Sequence, residues 1–303
     1  MDVAIIGLGH MGLAYVERLT ETGHRVVGYD VSAQAMAALV ELGGVPVSTL
    51  EGVTQCAAPV LLSLPDPHIV EQVVKDLLAA MGKKPLPGVV DLSTTGPVHA
   101  KRLARLLEAE NVPYAEAPVS GGVAGARSGT LTLMAAGSPT LLDTVTPLLR
   151  HLGTPVRMGD SPGLGQTMKV LNNLLSATNL VITSEAIAAG TASGLDPAQM
   201  LAVFNTGSGK NSATMDKFGK YILSGRFDQG FSLPLMTKDV SLALECLHAV
   251  GLPAWVSAAV LETWIAAMRL LPESADFTEI ARLHASYLFV DATTSSEIYG
   301  SQG

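Results

Sequence analysis

The chain opens with Asp2-Val3-Ala4-Ile5-Ile6-Gly7-Leu8-Gly9-His10-Met11-Gly12, in which a short apolar run is followed at once by three closely spaced glycines. The apolar run predicts a buried strand. A helical pattern then extends from Leu13 to Glu21, and a second apolar run, Arg25 to Tyr29, ends at Asp30. Strand, glycine turn, helix, strand and acidic residue in this order predict a dinucleotide-binding unit.

The glycines of this turn have distinct tasks. Gly7 permits the tight turn after the strand, Gly9 lets a pyrophosphate approach backbone N–H groups, and Gly12 lets the helix pack close to the strand. The helix N-terminus adds partial positive charge for the phosphates. The predicted cofactor contacts of the turn are Gly7, Leu8, Gly9, His10, Met11 and Gly12.

Asp30 bears on the choice between NAD and NADP. A carboxylate at the end of the second strand can accept hydrogen bonds from the ribose hydroxyls of NAD. The next residues, Val31 and Ser32, offer no arginine that could pair with a 2′-phosphate, so we expect NAD, with NADP the less favoured cofactor. The alternative is that Asp30 caps the following helix, although Ser32 is better placed for that role.

Strand and helix patterns continue to alternate through the first half of the chain. The strands predicted at Val60 to Leu64 and at Gly88 to Leu92 have the continuous apolar composition of a parallel sheet that is buried on both faces. Ligands of such sheets bind at the carboxyl ends of the strands, so Leu64-Pro65 and Ser93-Thr94 should line the cofactor crevice. A helix-capping role for Thr94 is compatible with this. We therefore predict a Rossmann-like domain over residues 1–162.

Length and composition narrow the class of protein. A chain of 303 residues favours two domains, and a net charge of −8 without a run of Lys or Arg argues against nucleic acid as a partner. We find neither an uninterrupted apolar segment long enough to span a membrane nor a basic signal-peptide start, so we expect a cytoplasmic protein. Cys56 and Cys246 form no metal-binding pattern and are expected to be free, buried thiols.

A second glycine-rich segment, Ala117 to Ala126, follows a short strand predicted at Tyr114 to Glu116. A loop of glycines and small residues exposes backbone N–H groups that can hold a carboxylate, and Ser120 adds a hydroxyl donor. The alternative is a flexible connector between two strands.

The second half of the chain contains only helical patterns, and its first helix carries an unusual polar pair. After the glycines at positions 163 and 165, a long apolar helix is predicted from Gln166 to Ala192, with Lys169 and Asn173 one turn apart on one face. Burial of a lysine is costly unless it is paired or its pKa falls, and such lysines often act as general acids or bases. The alternative is a lysine that extends along apolar surface to solvent. The predicted all-α domain spans residues 163–303.

Two further polar segments remain ambiguous. Lys238 and Asp239 lie near the start of an apolar helix and could equally be its solvated first turn. The segment Thr206 to Ser212 is polar and glycine-rich, which suits either a lid over a substrate or an inert connector.

Five motifs, in this order along the chain, resemble those of the β-hydroxyacid dehydrogenase family, which includes 3-hydroxyisobutyrate dehydrogenase and tartronate semialdehyde reductase. The motifs are Gly7-Leu8-Gly9-His10-Met11-Gly12, Asp91-Leu92-Ser93-Thr94, Ala117-Pro118-Val119-Ser120-Gly121-Gly122, Gly163-Leu164-Gly165 with Lys169 and Asn172-Asn173, and Leu235-Met236-Thr237-Lys238-Asp239. The resemblance covers essentially the whole chain.

This resemblance implies a Rossmann-like domain joined by a long interdomain helix to an all-helical domain, with the active site in the cleft and a homodimeric or homotetrameric assembly. It implies an NAD(H)-dependent oxidoreductase that interconverts a small β-hydroxyacid and its semialdehyde, with Lys169 as the acid/base and no metal. The implied substrate contacts are Ser120, Gly121, Gly122 and Asn173. The implied cofactor contacts include Leu64, Pro65 and Thr94, with Lys238 beside the nicotinamide.

One residue departs from the family pattern, and two other functions remain open. Glu116 stands where relatives commonly carry Asp, and we expect this difference to be structural. A reductase of another small carbonyl or of an imine would share the fold, but imine reductases usually lack the lysine that this chain carries at Lys169. A non-catalytic dinucleotide-binding protein would bind NADH without oxidising it.

Overall fold

A computed structural model provides the structure of the chain and describes residues 2–56, 58–82 and 86–288. The chain divides into two compact units, Met1–Leu171 and Asn172–Gly303, and the division falls within one long helix. The boundary predicted from the sequence, between residues 162 and 163, lies just before the start of that helix. Residues 289–303 of the predicted second domain lie outside the described part of the chain.

The first unit is built around one sheet, which has nine strands in the described residues. They are β1 (Asp2–Ile6), β2 (Arg25–Tyr29), β3 (Val45–Pro46), β4 (Val60–Leu62), β5 (Val89–Asp91), β6 (Tyr114–Glu116), β7 (Val119–Ser120), β8 (Leu131–Gly137) and β9 (Gly153–Gly159). The strand order is β3-β2-β1-β4-β5-β6-β8-β7, and β9 also pairs with β8. The strands from β3 to β6 are parallel, whereas β8 runs antiparallel to both β6 and β7.

The register of the parallel strands places their carboxyl ends in one row. Ile6 pairs with Tyr29 on one side and with Leu62 on the other, Leu62 pairs with Asp91, and Asp91 pairs with Glu116. The loops that follow these strands therefore emerge at the same edge of the sheet. The strand order reverses beside β1, which is where sheets of this kind bind dinucleotides.

Helices cover both faces of the sheet. They are α1 (His10–Glu21), α2 (Ala33–Glu41), α3 (Leu50–Thr54), α4 (Pro67–Ala80), α5 (Gly96–Ala109), α6 (Gly122–Ser128) and α7 (Pro139–Leu152). Val3 and Ile5 of β1 pack into one apolar core, whereas Ala4 and Ile6 pack into the core on the opposite face. Successive strand residues point to opposite faces, so a strand covered on both sides must be apolar throughout.

The second unit is helical throughout its described residues, apart from one isolated bridge between Ser232 and Asp276. The long helix α8 (Leu164–Ala192) enters it and is followed by α9 (Pro197–Thr206), a π-helix (Ala213–Ile222), α10 (Leu233–Ala249), α11 (Trp255–Leu270), a 3-10 helix (Phe277–His284) and α12 (Ala285–Leu288). The rings of Trp264 and Phe277 stack with their centroids 6.5 Å apart. Phe231 meets Phe277 edge-on at 5.9 Å.

The predicted fold class is confirmed, and two local expectations are corrected. The segment Ala117 to Ala126 is not a loop, because it contains β7 and the start of α6, which packs against α1. Cys56 is only half-buried, and its thiol donates a hydrogen bond to the Gly52 carbonyl, while Cys246 is buried; neither forms a disulfide.

Candidate active site

The glycine turn between β1 and α1 has the shape that a dinucleotide requires. Gly7 has φ +93°, a conformation that favours glycine, and a Cβ at Gly12 would overlap the carbonyl oxygen of Gly7. By contrast, a Cβ at Gly9 would meet no atom within 4 Å. Gly9 is also the N-cap of α1 and offers no side-chain cap, which leaves the first N–H groups of the helix for a phosphate.

Asp30 connects this turn to the end of β2. One carboxylate oxygen accepts the N–H of Leu8 at 2.7 Å, and the other accepts the N–H of Ser32 at 2.8 Å. Ser32, not Asp30, caps α2, because its hydroxyl accepts the N–H of Ala35. The capping alternative for Asp30 is therefore wrong. Each carboxylate oxygen has a second lone pair, so Asp30 can still accept ribose hydroxyls.

The loops that follow β4 and β5 are fixed to each other by buried side chains. Asp91, which ends β5, accepts the N–H of Ser93 at 2.9 Å and the hydroxyl of Thr95 at 3.1 Å. The Ser93 hydroxyl in turn accepts the N–H of Leu64 at 2.9 Å. This arrangement holds the predicted cofactor contacts Leu64 and Thr94 on neighbouring loops at the carboxyl edge. The N-cap position of α5 belongs to Thr95, the residue after Thr94.

The predicted carboxylate-binding residues lie where β7 meets α6. Ser120 ends β7, and Gly121 and Gly122 follow with φ +128° and +65°. Ser120 is half-buried, while both glycines are exposed. Because two successive residues have positive φ, the chain turns sharply here and leaves backbone N–H groups exposed beside the Ser120 hydroxyl.

Lys169 lies in the second turn of α8 and is 8% exposed. This burial argues against a side chain that extends to solvent. Two buried side chains that were not predicted as site residues, Glu116 and Gln166, hold the first turn of this helix. The Glu116 carboxylate accepts N–H groups from Gly163 and Gln166, and the Gln166 carboxamide contacts the loop after β5.

The pKa of Glu116 is raised to about 7, chiefly because the carboxyl group is removed from water. The hydrogen bonds from the N–H groups of Gln166 and Gly163 oppose this increase, and the nearby Asp91 carboxylate adds to it. Burial likewise raises the pKa of the neighbouring Tyr114, with contributions from Asp91 and Glu116. These acidic side chains therefore form a strongly desolvated group beneath the first turn of α8.

Within the second unit, Asn173 and Lys238 meet at one carboxylate. The Asn173 carboxamide donates a hydrogen bond to one oxygen of Asp239 at 2.6 Å, and the Lys238 ammonium lies 3.1 Å from the other oxygen. Asp239 is 1% exposed, so it is not part of a solvated first turn as the alternative supposed. The contact between Asp239 and Asn173 was not predicted because these residues are 66 positions apart in sequence, although the Lys-Asp motif itself was visible.

The segment Thr206 to Ser212 contains a polar turn. The Asn211 side chain accepts the N–H groups of Ala213 and Thr214, which start the π-helix. This contact explains the local composition and leaves the choice between lid and connector as a prediction. Among the described residues, no group of three His, Cys, Asp or Glu side chains could hold a metal ion. No helix in that part of the chain is long and apolar enough to cross a bilayer.

Comparison with known proteins identifies both halves of the chain. Residues 2–159 match the family model for the NAD binding domain of 6-phosphogluconate dehydrogenase, and residues 163–284 match that for the NAD-binding of NADP-dependent 3-hydroxyisobutyrate dehydrogenase. The 3-hydroxyisobutyrate dehydrogenase of Pseudomonas aeruginosa is 33% identical over 93% of this chain and 98% of its own length. The 2-hydroxy-3-oxopropionate reductase of Escherichia coli (strain K12) is 34% identical over 83% of this chain and 86% of its own length.

The tertiary structure gives the same result. The solved structure of Mycobacterium tuberculosis 3-hydroxyisobutyrate dehydrogenase superposes with a TM-score of 0.83 at 26% sequence identity, and it covers 93% of this chain and 98% of that one. The glycine turn, the open position at Gly9 and the carboxylate of Asp30 fit NAD, in agreement with the sequence-based expectation. The chain therefore belongs to the β-hydroxyacid dehydrogenase family and is an NAD-dependent oxidoreductase.

Proposed function

We propose that this enzyme interconverts a small β-hydroxyacid of the 3-hydroxyisobutyrate type and its semialdehyde, with Lys169 as the acid/base. The observation that carries the proposal is the burial of Lys169 on a helix that also bears Asn173 one turn later. Buried amines have pKa values that respond to their surroundings, which suits a group that must both donate and accept a proton.

The protein's contribution to the reaction is the handling of a proton and a carboxylate. A bound dinucleotide would supply the hydride chemistry, with NAD as the hydride acceptor in oxidation and NADH as the hydride donor in reduction. In the reduction direction the Lys169 ammonium donates a proton to the oxygen of the substrate carbonyl as that oxygen gains negative charge. In the oxidation direction the neutral Lys169 amine takes the proton of the substrate hydroxyl. Asn173 would orient the same oxygen by a hydrogen bond.

The substrate carboxylate would bind at the end of β7. The Ser120 hydroxyl and the backbone N–H groups of Gly121 and Gly122 offer three donors, and the exposure of the two glycines leaves them accessible. Lys238 would lie beside the nicotinamide. Relatives are named for 3-hydroxyisobutyrate and for 2-hydroxy-3-oxopropionate, both short acids with one carbon between the carboxylate and the reacting carbon.

Turnover measurements test the proposal. NADH and NADPH oxidation would be followed with a panel of small semialdehydes and 2-oxo acids, and the reverse reaction with 3-hydroxy acids. We expect one short β-hydroxyacid pair to turn over with NADH, and Lys169→Ala to lower kcat by about 10²–10⁴-fold, the usual contribution of a general acid/base. Lys220→Ala, which changes an exposed lysine, is the matched control.

Three other outcomes would contradict the proposal in different ways. Activity with cyclic imines in place of semialdehydes would favour an imine reductase. Tight NADH binding without turnover of any substrate would favour a non-catalytic binding protein. Full activity of Lys169→Ala would remove Lys169 from the chemistry while leaving the substrate class intact.

We also propose a homodimer or homotetramer. The second unit exposes large apolar side chains along one side of α8, where Leu175 is 65% and Ile182 is 54% exposed, two turns apart. Apolar side chains in such a row are typical of subunit contacts. Light scattering coupled to gel filtration would measure the mass. A monomer at micromolar concentration would contradict this proposal.

A further inference from the structure

The first turn of α8 is held by two buried side chains, Glu116 and Gln166, both of which lie in the first unit with Lys169. Glu116 is the last residue of β6, at the carboxyl edge of the sheet. Its two carboxylate oxygens accept the N–H of Gly163 at 2.9 and 3.0 Å, and one of them also accepts the N–H of Gln166 at 3.1 Å. These N–H groups belong to the start of a helix, where no intrahelical acceptor exists.

The hydrogen bonds of Glu116 are of a strong kind. A carboxylate at a helix N-terminus gains from the helix dipole, and hydrogen bonds to an ionised acceptor are roughly twice as strong as neutral ones. Glu116 is fully buried, so solvent does not weaken these contacts. The ionised side chain therefore fixes the height and direction at which α8 leaves the sheet.

Gln166 connects the same turn to the loop of a predicted cofactor contact. Its carboxamide oxygen accepts the N–H groups of Thr95 at 2.9 Å and Gly96 at 3.1 Å, and its amide nitrogen donates to the Ser93 carbonyl at 2.8 Å. Thr94 lies between these partners. All of the hydrogen-bonding atoms of the Gln166 carboxamide are thus spent on the loop that follows β5.

The first turn of α8 cannot move closer to the sheet. A Cβ at Gly165 would overlap the backbone oxygen of Met134 in β8 and would come within 3.2 Å of the Glu116 side chain. The backbone of α8 therefore lies directly against the sheet. A change in the Glu116 hydrogen bonds can only lift or tilt the helix, since closer packing is blocked.

We propose that Glu116 and Gln166 are positioning residues that fix the Lys169 ammonium relative to the cofactor loop at Ser93–Gly96. Lys169 follows Gln166 by three residues, less than one helical turn, so a tilt of the first turn displaces its side chain. A displacement of about 1 Å from the productive geometry can lower a rate by about 100-fold. The inference rests on the proposed role of Lys169 as the acid/base.

The titration of Glu116 fits this role. Burial raises the pKa of its carboxyl group to about 7, against the opposing hydrogen bonds from Gln166 and Gly163. The group that faces it from β5 is the Asp91 carboxylate, and Tyr114 on its own strand also lies close. The Glu116 carboxylate, which accepts three hydrogen bonds from the start of α8, is therefore fully ionised only above neutral pH, and the test has to be made there.

The test is a double-mutant cycle between Glu116→Gln and Lys169→Ala, with kcat, KM and the NADH dissociation constant measured well above pH 7. Gln keeps the shape of the side chain but presents an amide nitrogen to the N–H of Gly163. We expect Glu116→Gln to lower kcat by about 10–100-fold with little change in the NADH dissociation constant. In the Lys169→Ala background the same substitution should have no further effect, because the group that it positions is absent.

Three variants serve as comparisons. Glu116→Asp keeps the charge and should retain more of kcat than Glu116→Gln. Gln166→Met removes the carboxamide while keeping the chain length, and it repeats the cycle if Glu116→Gln does not fold. Glu108→Gln makes the same chemical change at an exposed site on α5 and should be without effect.

The outcomes separate the inference from the proposed function. Equal losses of kcat in both backgrounds, or no loss in either, would overturn the positioning role while leaving Lys169 as the acid/base. If Lys169→Ala itself retains full activity, the proposed acid/base role of Lys169 fails, and the positioning role fails with it. Loss of kcat that is confined to the background with Lys169 supports both.

Discussion

The buried Glu116 carboxyl group predicts an unusual dependence of stability on pH. Burial raises its pKa from 4.5 to about 7 in the folded protein. Between these two pH values the unfolded chain has released a proton that the folded chain still binds, so the free energy of unfolding falls as the pH rises. The contribution of Glu116 is fully present below about pH 4.5 and is lost above about pH 7. At about 1.4 kcal/mol per pH unit, the full effect is about 3 kcal/mol.

The substitution Glu116→Gln removes this titration. Whatever its effect at a single pH, the difference in unfolding free energy between the wild-type protein and the variant should change by about 3 kcal/mol across this range, to the disadvantage of the wild type at high pH. The exposed Glu108→Gln variant should keep the wild-type pH dependence. This comparison isolates Glu116 because every other titratable group is common to the proteins compared.

The assay has to report on the unit that contains the strand Tyr114–Glu116. Both tryptophans, Trp255 and Trp264, lie in the second unit, so their fluorescence follows that unit instead. Urea unfolding monitored by far-UV circular dichroism, together with hydrogen exchange of peptides from β6, would supply the required free energies at each pH. A difference that stays constant within about 0.5 kcal/mol over the range would refute the reasoning, because it would mean that the carboxyl group titrates alike in both states.

Three more predictions concern the glycines of the cofactor turn, the carboxylate of Asp30 and the buried carboxylate of Asp239. Gly9→Ala should fold normally yet weaken NADH binding, whereas Gly12→Ala should lower the unfolding free energy by about 1–3 kcal/mol because its methyl group overlaps the turn. Calorimetry measures the stability of each variant, and titration with NADH measures its binding. Equal stability of the two variants would contradict this prediction. Asp30→Ser should raise KM for NADH by about tenfold and lower the ratio of kcat/KM with NADH to kcat/KM with NADPH. Steady-state kinetics with both cofactors would measure this ratio. An unchanged ratio would argue against a contact between Asp30 and the ribose. Asp239→Ala should destabilise the protein by about 3 kcal/mol because it removes the buried carboxylate that pairs with Lys238. A melting temperature equal to that of the wild type would exclude a stabilising ion pair between Lys238 and Asp239.

Features that depend on near neighbours in sequence could be predicted well. The continuous apolar runs Val60 to Leu64 and Gly88 to Leu92 predicted a sheet covered on both faces, and the residues of β1 do alternate between two cores. The glycine turn and the long helix that carries Lys169 follow from local spacing in the same way, whereas the preference for NAD over NADP stays a prediction. The segment Ala117 to Ala126 shows the limit, since glycine and alanine suit a loop as well as the short helix that packing against α1 selects.

Features that depend on distant partners were decided only by the folded structure. Glu116 stood out in the sequence solely as a departure from a family pattern, because its partners Gly163 and Gln166 are about fifty residues away. The contact between Asn173 and Asp239 joins two helices that no local periodicity relates. The sequence by itself thus determined the buried strands at the centre of the sheet, the long helix α8 and the cofactor turn, since each depends on the spacing of neighbouring residues. Only the tertiary structure decided which buried polar groups meet, because burial is what forces each carboxylate to find its donors.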